Sequence, residues 1–170
     1  PEKIPAAVKA AIDAGRATHG QIFVAYADCG TGGLLDAVLR DERVERLPGA
    51  HCYEFFATAA VFERLSAAEP GTFYLTDFLV RHFDRLVIAG LGLDRHPELA
   101  GEYFRNYRKL TYLVQKPDAS LAAAAREAAA RLGLEYDEYQ TGYGDLATSL
   151  AAVARRREHT VTLEKKAWPR

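Results

Sequence analysis

A chain of 170 residues, 49% hydrophobic and 26% charged, has the material for one compact core, and at this length roughly two thirds of the unfolded chain's surface is buried. Twenty-two basic against 23 acidic side chains leave a net charge of −1, so no global field draws the chain to nucleic acid or an anionic membrane, and any ligand must be recognised locally. No apolar run reaches the ~18 residues that cross a bilayer, and the sequence carries no signal-peptide pattern or lipidation motif, which makes a cytoplasmic protein the expectation.

The spacing of Ile4, Val8 and Ile12, with Pro5 in the first turn and Gly15 as a stop, predicts a helix over 4–14. The β-branched and aromatic run at 21–27 predicts a strand. The stretch AYADCGTGGLLDAVL (25–39) then brings an acid, a thiol and three glycines to the corner where that strand turns into a helix over 34–40. Residues 44–47 make at best a short strand, ended by Pro48 and Gly49. His51 and Cys52 open a second helix with Phe55, Phe56, Ala59, Phe62 and Leu65 on one face, stopped by Pro70 and Gly71. GTFYLT (71–76) is a third strand, and Thr76 or Asp77 caps the helix that carries Leu79, Phe83, Leu86 and Val87. A loop over 89–100 leads into a tyrosine-rich helix through Tyr103 and Tyr107, and KLTYLVQ (109–115) is the next strand. Pro117 and Asp118 introduce an alanine-rich helix ending at Gly133. LEYDEYQ (134–140) alternates as a half-buried strand does, and TGYGDL (141–146) turns it into a last helix reaching about 154, beyond which the tail 155–170 is charged, patternless and expected to fray.

Strands separated by helices of this length predict βαβ units. The expected fold is α/β: a parallel, doubly wound, Rossmann-like sheet of four or more strands with helices on both faces, in a single domain over 1–154. Four strands are few for such a sheet, and the chain starts at Pro1 and has no methionine. Both features give the expectation that an N-terminal strand precedes the numbered chain.

Ligands of open parallel sheets sit outside the carboxyl ends of the strands, where helix N-termini and βα loops gather. Those corners supply Asp28, Cys29, Gly30, Thr31, Gly32 and Gly33, then His51, Cys52 and Glu54, then Thr76 and Asp77, then Thr141, Gly142, Tyr143, Gly144 and Asp145. The two cysteines, 23 positions apart, are too few for a secreted disulfide framework and read as free thiols, metal ligands or a redox pair. At a helix start, Cys52 has its thiolate favoured by the helix dipole, and a protonated His51 adds to this. If the first two corners adjoin, Cys29 and Cys52 share an ion, with His51, His82 or Glu54 completing the shell and zinc as the default metal, or they form a dithiol that cycles through a disulfide. Cys29, Cys52 and Asp28 are the candidate catalytic residues. Gly30, Thr31, Gly32, Gly33, Thr76 and Tyr143 are the candidate ligand-binding residues, with the glycines and the 142–144 turn as an anion nest for a phosphate or another small molecule.

Each signal has a plainer alternative. A buried cysteine is a small hydrophobe; DCGTGG is neither GxGxxG nor a Walker loop and serves equally as a tight turn; His82 is a satisfied helix histidine. Tyr103, Tyr107 and Tyr112 are core or interface residues. A nucleophile elbow, an HExxH motif, a carboxylate pair and a basic stripe with aromatics are all missing from the sequence, so hydrolytic and nucleic-acid functions have no support.

The segments YADCGTGG, GAHCYEFF, EPGTFYLTDFLVRHFDRL, GLGLDRHPEL, YFRNYRKLTYL and LGLEYDEYQTGYGDL, in this order over about 2–150, resemble the bacterial branch of the family called domain of unknown function 1638. The features carried over are Cys29, Gly30, Cys52, Gly71, Thr72, Tyr74, Leu75 and Thr76. Members are often encoded beside corrinoid-dependent methyltransferases, their corrinoid carriers and reductive activators, so the resemblance implies a place in corrinoid-linked one-carbon metabolism, with a corrinoid as an alternative cofactor and methyltransferase components as partners, whether as an enzyme or as a non-catalytic accessory that docks through the tyrosine-rich helix. Relatives typically begin with a further strand and a cysteine-glycine motif, which implies a third thiol ahead of this chain.

Overall fold

The computed structural model describes residues 2–47, 49 and 51–166, with side chains as far as 155. Pro48, expected to end the second strand, and the last four positions of the tail lie outside the described residues. The chain is an α/β protein that folds as two compact units, one from Pro1–Phe55 and Gly144–Arg170, the other from Phe56–Tyr143.

The first unit opens with α1 (Ile4–Arg16), whose Pro5 sits in the first turn where no intrahelical N–H is needed. It continues through β1 (Phe23–Val24), α2 (Leu34–Glu42) and β2 (Glu45–Arg46). β1 and β2 pair in parallel, Phe23 opposite Glu45. Ile12, Leu35 and Leu39 form the buried core, with Val8, Ile22 and Val24 packed on it. Lys9 and Arg16 of α1 both bind the Glu42 carboxylate, at 2.8 and 3.1 Å. α8 (Gly144–Lys166) belongs to this unit and runs beyond the expected end near 154.

α3 (Cys52–Ala57) spans the change from the first unit's stretch of chain to the second's, and α4 (Ala59–Ala68) falls in the second. The single helix expected here is broken at Thr58, whose φ of +68° is outside the helical region. The second unit then builds β3 (Thr72–Thr76), α5 (Asp77–Arg81), a π turn over Asp84–Ile88, a 3-10 turn over Pro97–Leu99, α6 (Ala100–Phe104), β4 (Lys109–Val114), α7 (Ala119–Leu132) and β5 (Glu135–Gln140). The tyrosine-rich helix is thus short, and Tyr107 lies beyond its end, edge-on to Phe73 at 5.6 Å.

The strands pair as a parallel sheet of two and a parallel sheet of three, in the order β3-β4-β5. Thr72 stands opposite Lys109, and Lys109 opposite Glu135. β4 is central and buried along nearly its whole length, its mostly apolar residues matching that place, whereas β5 is the edge and is exposed except at the half-buried Tyr136 and Tyr139. Leu75, Leu110, Tyr112 and Val114 from the sheet meet Leu121, Ala125, Ala128 and Ala129 of α7 and Val80, Phe83 and Val87 beyond β3. No helix among the described residues is long and apolar enough to cross a membrane.

Candidate functional site

The strand expected over 21–27 pairs only at Phe23 and Val24, because the chain beyond turns back on itself. The Tyr26 amide donates to the Val24 carbonyl and the Cys29 amide to the Ala27 carbonyl, each at 2.8 Å. These three-residue turns take the backbone out of the ladder and swing Asp28 and Cys29 to the strand's end. From there Gly32 and Gly33 carry the chain into α2 with φ of +61° and +83°, a left-handed path that glycine follows without a Cβ penalty.

Three amides at that corner have partners within the loop. Gly33 N–H donates to Asp28 Oδ2 at 2.9 Å, Leu34 N–H to the Thr31 carbonyl at 3.2 Å, and Leu35 N–H to Thr31 Oγ1 at 3.4 Å. Asp28 therefore places a carboxyl oxygen at the start of the helix, where negative charge is favoured. The turn at 142 is similar, since the Gly142 amide donates to the Val114 carbonyl at 3.1 Å.

The two thiols meet. The Cys52 backbone N–H, in the first turn of α3, points at Cys29 Sγ at 3.1 Å. Both cysteines are partly exposed and neither is in a disulfide. The Cys29 thiol is lowered to about 7. The main cause is the hydrogen bond from the Cys52 side chain, helped by the Cys52 amide and the Arg46 guanidinium and opposed by burial and by Asp28. Cys52 moves the other way: its donation to Cys29, its burial and the neighbouring thiolate all hold it protonated. Of the two, Cys29 is the thiol that ionises first and Cys52 the one held protonated beside it. Tyr26 belongs to the same group, its phenol raised first by burial and then by the charge of the neighbouring acidic groups, Cys29 first among them.

Arg46 of β2, which the sequence does not single out, ties this site together. Its Nε and Nη2 grip the two Asp36 oxygens at 2.6 and 3.0 Å, and its Nη1 donates to the Leu47 carbonyl at 2.6 Å and the Gly49 carbonyl at 2.9 Å. Only its position in a short strand near two corners hints at this, because its partners come together through the tertiary fold.

His51 precedes Cys52 and lies 5.4 Å from the Tyr53 ring. The Glu54 carboxylate lies against Gly49, where an added Cβ would stand 3.0 Å from Glu54 Oε2. Among the described residues no three His, Cys, Asp or Glu side chains converge closely enough to hold a metal ion. The buried Asp28 Oδ1, beside Cys29, has no hydrogen-bond partner among the described residues.

The remaining candidates belong to the second unit. Thr76 is buried, and its hydroxyl accepts the Leu79 amide as the cap of α5. His82 is half-buried and edge-on to the Phe78 ring at 4.6 Å. Tyr143 is exposed and tilted against Phe56 at 6.5 Å. Asp77 is buried, with Oδ1 accepting from the Tyr112 hydroxyl at 2.8 Å and the Gln115 amide at 3.0 Å, and Oδ2 from the Lys116 amide at 3.2 Å. In return Asp77 N–H donates to Gln115 Oε1 at 2.7 Å. This network locks the carboxyl ends of β3 and β4 together, a structural task for a residue that the sequence places at a corner.

No curated protein and no solved structure matches the chain. The model of one family, described as "Protein of unknown function (DUF1638)", matches residues 1–150. A match over that much of the sequence, containing both thiols, makes this chain a member of the DUF1638 family.

Proposed function

We propose that this protein works through Cys29 and Cys52 as a thiol–disulfide centre, with Cys29 as the nucleophile and Cys52 as the resolving thiol. The observation that carries this reading is the Cys52 amide directed at Cys29 Sγ at 3.1 Å. In the step this supports, the Cys29 thiolate attacks one sulfur of a substrate disulfide, the S–S bond breaks, and the leaving thiolate takes a proton from solvent. Cys52 then loses its proton to solvent and attacks Cys29 Sγ, releasing the second substrate thiol. The substrate disulfide gains two electrons and two protons, and the protein is left with a Cys29–Cys52 disulfide. Oxidised glutathione is a sufficient probe. The parent protein is expected to lose two hydrogens by intact mass, and Cys52→Ser to trap a glutathione adduct on Cys29. A parent that stays reduced, or a Cys52→Ser variant without an adduct, rejects the reading.

A second reading is favoured by Asp28 Oδ1, a buried carboxylate oxygen with no hydrogen-bond partner among the described residues, beside the two thiols. A soft divalent cation, zinc first, would take the thiolates of Cys29 and Cys52, and a third donor from Asp28, His51 or Glu54 would have to move in to complete its shell, since no three such side chains converge among the described residues. Such an ion would polarise a bound water or thiol, and it would cancel the effect that keeps Cys52 protonated. About one metal per chain, lost in Cys29→Ser/Cys52→Ser, supports it, and a metal-free parent excludes it. Links to corrinoid chemistry and to methyltransferase components rest on the family resemblance alone. Their test is retention on an immobilised corrinoid carrier, lost on changing Tyr103, which is 48% exposed.

A further inference from the structure

We propose that Arg46 is the positioning residue of the thiol pair: its guanidinium ties the segment between β2 and α3 to α2 and thereby holds Cys52 against Cys29. The inference deepens the thiol-centre reading and rests on it for its functional meaning.

Cys29 and Cys52 are brought together by two different stretches of chain. Cys29 is fixed by the end of β1 and by the turn into α2, where Asp28 and Thr31 bind the first amides of that helix. Between Arg46 and Cys52 the described residues Leu47, Gly49 and His51 belong to no strand or helix. Something must pin that segment, since an irregular stretch tied only at its ends samples many conformations. One tie is the Leu47 amide, which donates to the Val24 carbonyl at 3.1 Å and extends the β1–β2 pairing by a residue. The other is Arg46. Its Nη1 takes the Leu47 and Gly49 carbonyls, and the rest of the fork takes both oxygens of Asp36 on α2, the helix that follows Cys29. The Arg46 side chain is only 17% exposed while Asp36 is 39% exposed, so the tie rests on its bidentate geometry and on the two carbonyls rather than on exclusion of solvent. Four donations from one planar group are beyond lysine, whose ammonium has three donors and no fork. The same guanidinium lies near enough to Cys29 and Asp28 to act on both electrostatically.

The test compares the parent with Arg46→Lys, which keeps the charge, and Asp36→Asn, which keeps the shape of the guanidinium's partner. Phenylarsine oxide is the probe: its arsenic bonds two thiols at once and releases its oxygen as water, without a change of oxidation state, so it binds tightly only where two thiols are already close. Retention of the arsenical against a competing monothiol is read by intact mass, with far-UV circular dichroism as the control for folding. The parent is expected to be bridged, and each variant to retain the probe about tenfold less well, in line with loss of an outer partner that orients a ligand pair. Retention within about twofold of the parent in both folded variants overturns the proposal, as does a parent that is not bridged. If one variant fails to fold, the other decides. A parent that is bridged with its retention lost in the variants, yet never forms a disulfide with oxidised glutathione, upholds the role of Arg46 while rejecting the thiol–disulfide function.

Discussion

At Cys29 the balance of local effects decides the chemistry. Burial and Asp28 both work against a thiolate there, and two donors from Cys52 outweigh them, bringing the group to about 7. A thiol lowered in this way is increasingly ionised as pH climbs through about 7 and becomes protonated and unreactive below it. Alkylation of Cys29 by iodoacetamide should follow that curve, while Cys52, pushed upward, stays inert across it. Cys52→Ala keeps the backbone amide but removes the side-chain donor. The midpoint should then move towards the ordinary thiol value of about 8.5, with alkylation at neutral pH about tenfold slower; an unmoved midpoint would show that Cys52 does not support the thiolate. Asp77 illustrates the opposite use of a buried acid. Replacing it by alanine strands the Tyr112 hydroxyl and the Gln115 and Lys116 amides. A loss of about 3 kcal/mol in urea unfolding is expected, and a loss below about 1 kcal/mol would mean that water replaces the carboxylate. The sequence made both cysteines visible because corner placement depends only on where strands end. It left Arg46 hidden, because nothing local distinguishes an arginine that grips Asp36 and two carbonyls from one that points into solvent.

At the scale of elements, legibility followed how local the determinants are. Asp118, whose carboxylate takes the Ser120 and Leu121 amides, and Gly133, at φ +69°, mark both ends of α7 in the sequence as they do in the structure. β4 was equally plain, since a run buried on both faces is rich in apolar residues, here Leu110, Tyr112, Leu113 and Val114. The three-residue turns that cut β1 to two residues have no side-chain signature, and the apolar spacing across 52–65 continues smoothly through a break that lies only in the backbone. Thr58, with φ +68° and ψ +149°, occupies a region that is costly for a β-branched residue and open to glycine. Thr58→Gly should therefore stabilise the protein by about 1 kcal/mol, read as a higher urea midpoint with an unchanged slope. A destabilised variant would place the value of Thr58 in its side-chain packing and not in its backbone.

For the molecule as a whole, the two units differ in how their strands are supported. The first holds its thiol site on two strands of two residues each, over a core of Ile12, Leu35 and Leu39 with partly buried neighbours. The second has a three-stranded parallel sheet, a central strand buried on both faces, and a core continuous from Leu75 through Leu110 and Tyr112 to Ala125 and Ala129. Local opening is easiest where few apolar contacts must be broken, so regions of one chain can open at different free energies. Native-state hydrogen exchange should find the slowest amides in β4, over Leu110 to Val114, and markedly faster exchange at Val24, Arg46 and Leu47 in the first unit. That ordering has a chemical consequence: a resolving thiol must move from donating to Cys29 to bonding with it, and a lightly supported site allows this without disturbing the larger sheet. Oxidation of the pair should then slow exchange around β1 and β2 while leaving β4 unchanged, because a covalent cross-link restrains only the segments it joins. Equal protection in both units, or an effect of oxidation that reaches β4, would mean instead that the thiol site and the large sheet open as one cooperative body.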